Sequence, residues 1–138
     1  LPDLAVTLHE ATTKKCAFLR LAAERMGITV TVQNARLEGL PLSQFDVVTA
    51  RALAPLPQLL DYAQNFVGPN SVCLFLKGQN VVAELTQAHK YRRIIAFQVP
   101  SQTDPLAAIV VVRELGPRHV EQQKTPHPGR RQPKGRRR

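Results

Sequence analysis

Six short apolar runs fall within the first 113 residues, and the spacing between them limits how they can be joined. The runs are Ala5–His9, a segment around Ile28, Val30 and Val32, Phe45–Thr49, Val72–Leu76, Ile94–Val99 and Leu106–Arg113. Three of the intervals carry apolar residues at helical spacing. Cys16, Phe18, Leu19, Ala22, Ala23 and Met26 form the first set, Leu56, Leu59, Leu60 and Ala63 the second, and Val81 to Lys90 the third. Unbroken apolar strands that alternate with helices predict a parallel sheet covered on both faces, because only a strand buried on both sides tolerates apolar residues at every position. The last interval differs. Pro100 to Pro105 is too short for a helical crossover, so the final two strands are expected to pair antiparallel. The fold class expected is α/β, with a mostly parallel sheet ending in an antiparallel C-terminal strand.

Local signals set the element limits. Thr12 or Thr13 can cap the first helix, and Gly27 fits its left-handed stop, where a Cβ would be penalised. Pro55 and Pro57 fit the first turn of the second helix, where a missing N–H costs nothing. Gly68-Pro69-Asn70 is expected to end that helix, and a mixed loop runs from Gln33 to Gln44.

Charge divides the chain in two. Residues 1–112 carry ten Lys/Arg against eight Asp/Glu, and residues 113–138 carry nine against two, so most of the net charge of +9 sits near the end. From about Gly116 the sequence is rich in Pro, Gly and Arg and poor in apolar residues, so it cannot offset its ordering entropy. Residues 116–138 are therefore expected to be a disordered basic tail, with Arg130 and Arg131 available to RNA phosphates, and residues 1–115 to be the folded domain. No apolar run approaches the roughly 20 residues that span a bilayer, and no signal peptide is visible. Two Cys and four His lack zinc-like spacing, so no metal site is expected. Cys16 and Cys73 lie in apolar segments and read as free buried thiols. A cytoplasmic, membrane-free monomer is the expectation.

In such sheets ligands bind beyond the C-terminal ends of the parallel strands. That rule selects His9-Glu10, Asn34 to Glu38, Thr49 to Arg51 and Lys77-Gly78, and within these segments Glu10, Arg36 with Glu38, Arg51 and Lys77 carry the charge. An acidic residue at the end of the first strand can accept both hydroxyls of a ribose, though on its own it reads first as a solvated loop carboxylate or a helix N-terminal charge. Arg36 and Glu38 are read first as solvated loop charges. Arg51, in Thr49-Ala50-Arg51-Ala52, can hold an anion or stack on a base, or serve a structural pair. Lys77 directly follows a fully apolar strand and can meet a phosphate or extend its ammonium to water.

Taken together these segments resemble the ribosomal RNA small-subunit methyltransferase G family, also called glucose-inhibited division protein B. The resemblance rests on Leu8-His9-Glu10 with Lys14-Lys15 and Phe18-Leu19, on Ala35-Arg36-Leu37-Glu38, on Phe45-Asp46-Val47-Val48-Thr49-Ala50-Arg51-Ala52-Leu53-Ala54-Pro55-Leu56, on Leu76-Lys77-Gly78, and on Val99-Pro100 with Val110-Val111-Val112. It covers roughly residues 1–113. It implies a Rossmann-like class I methyltransferase fold and methyl transfer from S-adenosylmethionine to guanine N7 of 16S ribosomal RNA, with that RNA or the small ribosomal subunit as partner. By that resemblance, Glu10 would hold the cofactor ribose, Leu37 and Glu38 would border the adenine, and Arg51 would lie near cofactor and target base. Arg36 and Lys77 would be the catalytic, RNA-facing pair, with Lys14 and Lys15 on the same side. Guanine N7 is nucleophilic and carries no proton, so alignment with the methyl group is the main requirement and no general base is needed.

The family's fold starts with a strand and a turn of the type Gly-x-Gly-x-Gly-x-Pro-Gly, which cradles the methionine end of the cofactor. None of the seven Gly lies in such a turn. The fold implied is thus N-terminally truncated, its neighbouring strand edges exposed, and the chain alone an inactive copy. Two other readings stand beside this one. A noncatalytic basic RNA-binding module would rely on the tail for salt-sensitive affinity. A nicotinamide-type dinucleotide domain is compatible with Glu10 but lacks its Gly-x-Gly-x-x-Gly turn.

Overall fold

The computed structural model describes residues 3–119. Six strands and three α-helices follow one another as β1 (Thr7–Glu10), α1 (Thr13–Met26), β2 (Thr31–Asn34), β3 (Phe45–Arg51), α2 (Leu56–Ala63), β4 (Val67–Lys77), α3 (Val81–Tyr91), β5 (Arg92–Pro100) and β6 (Ala108–Arg118), with a 3-10 turn at Leu37–Gly39. The strands form two sheets rather than one. The first is the parallel pair β1–β2, and the second has the order β3-β4-β6-β5. Within it β3 and β4 are parallel, and β6 runs antiparallel to both β4 and β5, as the short Pro100–Pro105 connection requires.

Helix α1 begins where Thr12 and Thr13 predict it, although the Thr12 side chain makes no capping bond. It stops at Gly27, whose φ of 65° is left-handed and whose N–H turns back to the carbonyls of Ala23 and Glu24. The core lies where α2 and α3 cover one face of the four-stranded sheet. Leu56, Leu59 and Leu60 of α2 meet Cys73 and Phe75 of β4 and Val110 and Val112 of β6. Cys16 and Cys73 are free and buried, and burial pushes the Cys73 thiol up to about 11 by disfavouring its thiolate.

The opposite face of that sheet is open. Val47, Leu76, Ile95, Phe97 and Val99 are exposed, so the expected cover on both faces is met on one face only for these strands. Helix α1 packs on β1 and β2 instead.

Three expected boundaries shift. The strand expected around Ile28, Val30 and Val32 is found at Thr31–Asn34, taking Gln33 and Asn34 from the expected loop. Gly68-Pro69-Asn70 does not separate α2 from a strand at Val72 but lies inside β4, which starts at Val67. The register jumps there from Phe45↔Val67 to Val47↔Val72, and an irregular stretch of this kind accommodates a residue with no N–H to donate. The Ser71 hydroxyl secures it, donating to the Phe45 carbonyl (2.6 Å) while accepting from Gly68 N–H (2.8 Å). At the other end β6 continues through Gly116-Pro117-Arg118, three residues into the segment assigned to the tail. An ion cluster explains this. Buried Arg92 donates to Asp61 (2.9 Å), Gln64 (3.1 Å) and the Gly116 carbonyl (3.1 Å), and Arg118 pairs with the same Asp61. The remainder of the tail, with Arg130 and Arg131, lies outside the described residues.

Candidate functional site

Each candidate sits where a strand ends. Glu10 closes β1, the Leu37–Gly39 turn follows β2, Arg51 closes β3 and Lys77 closes β4. Glu10 is held by the loop that follows it. Its Oε1 accepts the Thr12 N–H (2.8 Å), and its Oε2 lies 3.9 Å from Lys15 Nζ. The Thr12 N–H chiefly, with Lys15 adding to it, holds the Glu10 carboxyl below the usual range, so it is ionised at neutral pH. Its carbonyl accepts from the Cys16 thiol (3.2 Å) and from Ala35 N–H (3.2 Å), which ties the end of β1 to the chain leaving β2.

Glu10 and Leu37 line one cavity of about 490 Å³ together with Thr49, Ala50 and Leu53. The structure thus brings together the carboxylate expected for a ribose, the apolar wall expected for an adenine and the end of β3. The other candidates lie off this lining. Glu38 accepts a hydrogen bond from the Tyr62 hydroxyl (3.2 Å), and Tyr62 itself lines the cavity. Arg36, Arg51, Lys14 and Lys15 are exposed.

Lys77 differs from its expected arrangement. Its ammonium is largely buried, with 11% of the side chain exposed, and bonds to Glu84 Oε2 at 2.7 Å and to the Ala54 carbonyl at 3.0 Å. The same Glu84 oxygen accepts the Leu56 N–H at 2.6 Å. Lys77 and Glu84 therefore clamp residues 54–56, immediately after Arg51. An RNA-facing Lys77 is corrected to a lysine turned inward, because the carboxylate on α3 and an open carbonyl compete for its charge. Glu84 escaped the sequence reading. Its only signal was an acidic residue in the first turn of α3, one turn past Lys77-Gly78. The clamped loop includes Ala52 at φ 50°, a left-handed conformation that a residue with a Cβ adopts at a cost. Such strain persists only where the surroundings fix it.

Among the described residues no group of three or more His, Cys, Asp or Glu could hold a metal ion, and no helix is long and apolar enough to cross a membrane.

Comparison with known proteins bears directly on this arrangement. The family model described as rRNA small subunit methyltransferase G matches residues 1–105. This chain belongs to the rRNA small subunit methyltransferase G family. The ribosomal RNA small subunit methyltransferase G of Acidiphilium cryptum is 44% identical over 114 residues, which are 83% of this chain and 52% of that protein. Its counterpart in Paramagnetospirillum magneticum is 46% identical over 114 residues, 83% of this chain and 55% of that protein. The chain thus spans about half the length of these methyltransferase G relatives. Among solved structures it is similar to a ribosomal protein L11 methylase from Lactobacillus delbrueckii subsp. bulgaricus, with a TM-score of 0.63, 16% identity, and 80% of this chain and 58% of that one covered. It is similar as well to an N-methyltransferase from Bradyrhizobium japonicum in complex with S-adenosyl-L-homocysteine, with a TM-score of 0.53, 10% identity and coverage of 82% and 67%. These likenesses show the class I methyltransferase fold for a methyltransferase G family chain.

Proposed function

We propose that this chain forms the adenosyl-binding part of an S-adenosylmethionine-dependent methyltransferase that acts in the cytoplasm on guanine N7 of 16S ribosomal RNA. The observation that carries the reading is Glu10, an ionised carboxylate at the end of a parallel strand, facing the same cavity as Leu37 in a chain of this family. A carboxylate there can accept ribose hydroxyls, and Leu37 supplies an apolar wall. The residues present fit the adenosyl half of the cofactor. The cofactor, when bound, would supply the electrophilic methyl group.

The chain's own part is binding and orientation. Arg51 and Arg36 are the exposed cations at strand ends, suited to the RNA backbone or target base. Lys14 and Lys15 extend the same charge along α1. Lys77 acts on the site through Glu84, by fixing residues 54–56, which follow Arg51. No proton leaves N7, so positioning is sufficient chemistry. The basic segment that includes Arg130 and Arg131 would add salt-sensitive affinity for RNA.

Calorimetric titration of the 138-residue chain with S-adenosylhomocysteine tests this reading. Micromolar binding is expected, weakened about tenfold or more in Glu10→Gln, because the amide replaces a charged acceptor for the ribose hydroxyls. A folded chain that fails to bind, or binds equally well as Glu10→Gln, would remove Glu10 and leave the basic RNA-binding module as the better account.

A further inference from the structure

We infer that Tyr62 is a positioning residue for the adenosyl ligand, holding the Glu38 carboxylate where it accepts the exocyclic amine of adenine and so favouring a 6-amino over a 6-oxo purine. This role rests on the adenosyl-binding reading of the site and adds a residue and a specificity to it. Tyr62 belongs to α2 and Glu38 to the turn after β2, and a single hydrogen bond joins them. Tyr62 lines the cavity shared by Glu10 and Leu37, and its hydroxyl donates to Glu38 Oε1 at 3.2 Å.

The direction of that bond is set on the helix. Gln58 stands four residues before Tyr62, so the two share a helix face, and its Nε2 donates to the Tyr62 oxygen at 2.6 Å. A phenol hydroxyl has one proton to give. With its oxygen accepting from Gln58, that proton is left for Glu38. The three side chains form a relay from α2 to the Leu37–Gly39 turn.

The shape of the turn explains why Glu38 needs holding. Gly39 N–H donates to the Arg36 carbonyl (3.3 Å) and Leu40 N–H to the Leu37 carbonyl (3.4 Å). Successive residues of a 3-10 turn point about 120° apart. With Leu37 on the cavity wall, Glu38 therefore falls at the rim, where it is exposed. Among the described residues no lysine or arginine pairs with Glu38, and Tyr62 is its side-chain partner. A neutral donor fixes the carboxylate without cancelling its charge and leaves Oε2 for a ligand.

The chemistry names the edge of the ligand that fits. A carboxylate only accepts. Adenine presents a 6-amino donor, whereas a 6-oxo purine such as guanine presents an acceptor, which would set oxygen against oxygen. A site built to bond an N–H discriminates against the analogue that lacks it, and at an exposed rim, where water shares the contact, a preference of about tenfold is expected rather than the larger factors of dry sites.

Calorimetric titration of the 138-residue chain with S-adenosylhomocysteine and S-inosylhomocysteine tests this in four proteins: the unaltered chain, Tyr62→Phe, Glu38→Ala and the double variant. The unaltered chain should prefer the adenosyl ligand about tenfold. Tyr62→Phe keeps the ring and loses the hydroxyl. It should cut the preference to about twofold or less by weakening the adenosyl ligand alone, with inosyl affinity and Tm unchanged. Glu38→Ala should do the same, and the double variant no more, because Tyr62 acts through Glu38. If the chain binds but shows no preference, or keeps its preference in Tyr62→Phe, the role of Tyr62 is overturned and the adenosyl reading stands. An equal loss for both ligands makes Tyr62 only a wall of the cavity, and additive losses in the double variant put its hydroxyl on the base itself; either result overturns the inference. A folded chain that binds neither ligand overturns it together with the reading on which it rests.

Discussion

Removing the Glu84 carboxylate by Glu84→Ala deletes two interactions at one oxygen. The Leu56 N–H loses a charged acceptor at 2.6 Å, worth about 1.5–3 kcal/mol. The Lys77 ammonium loses its partner at 2.7 Å while keeping the Ala54 carbonyl at 3.0 Å. A fully buried charge left alone costs about 3–5 kcal/mol; here the side chains are 11% and 21% exposed, so the low end applies and overlaps with the first loss. A total near 3 kcal/mol follows, or a fall in Tm of about 12–24 °C at roughly 4–8 °C per kcal/mol. Lys77→Met alone should cost about 1–2 kcal/mol, because Glu84 retains the Leu56 N–H. The double variant Glu84→Ala with Lys77→Met should be no worse than Glu84→Ala alone, since no charge is stranded. Urea unfolding of the four proteins gives the coupling energy, expected at about 2 kcal/mol. Amide exchange at Leu56 should quicken in Glu84→Ala. A loss below about 0.5 kcal/mol for Glu84→Ala, or strictly additive singles, would refute the clamp.

The remaining predictions concern other elements. Gly27→Ala should destabilise by about 1 kcal/mol in denaturant unfolding, because φ of 65° penalises a Cβ although nothing lies within 4 Å of it. The Arg118 hydrogen bond chiefly, with Arg92, holds the Asp61 carboxyl below its ordinary value. That stabilisation is present above the unfolded pKa of about 3.9 and is lost as pH falls through the lower folded value. Asp61→Asn should therefore lower Tm at pH 7 and flatten its fall at acid pH, as measured by circular dichroism. Cys73, buried and with its thiol raised to about 11, should resist iodoacetamide at pH 8, as should buried Cys16. Mass spectrometry should show both alkylated in urea, and rapid labelling of the native chain would contradict the packing.

The alternation of apolar runs with helically spaced segments was enough to give the order of strands and helices, but it placed β2 too early, around Ile28 to Val32 instead of Thr31–Asn34. What the sequence concealed was partnership. Gly68-Pro69-Asn70 reads as punctuation, yet the Ser71 hydroxyl lets β4 absorb it. Gly116-Pro117 reads as the start of a tail, yet Arg92 and Asp61, far away in the sequence, hold it in β6. Lys77 looks like a free cation until Glu84 is brought beside it by α3. Glu10 and Leu37 were legible because strand ends alone define where they sit. Their neighbour Tyr62 was not, since its place depends on how α2 meets the Leu37–Gly39 turn.

Strand β6, the last element among the described residues, lies between β4 and β5. A ribosome making this polypeptide delivers β5 before anything exists for it to pair with. Domains tend to consolidate from the N-terminus as they emerge, but here the four-stranded sheet cannot close until residue 118 is free of the exit tunnel. Until then one edge of β4 and both edges of β5 remain unpaired. A stall or nonsense codon shortly before Ala108 would therefore leave two sticky strands without their joining partner, and such products are expected to go to chaperones and proteases rather than persist half-folded.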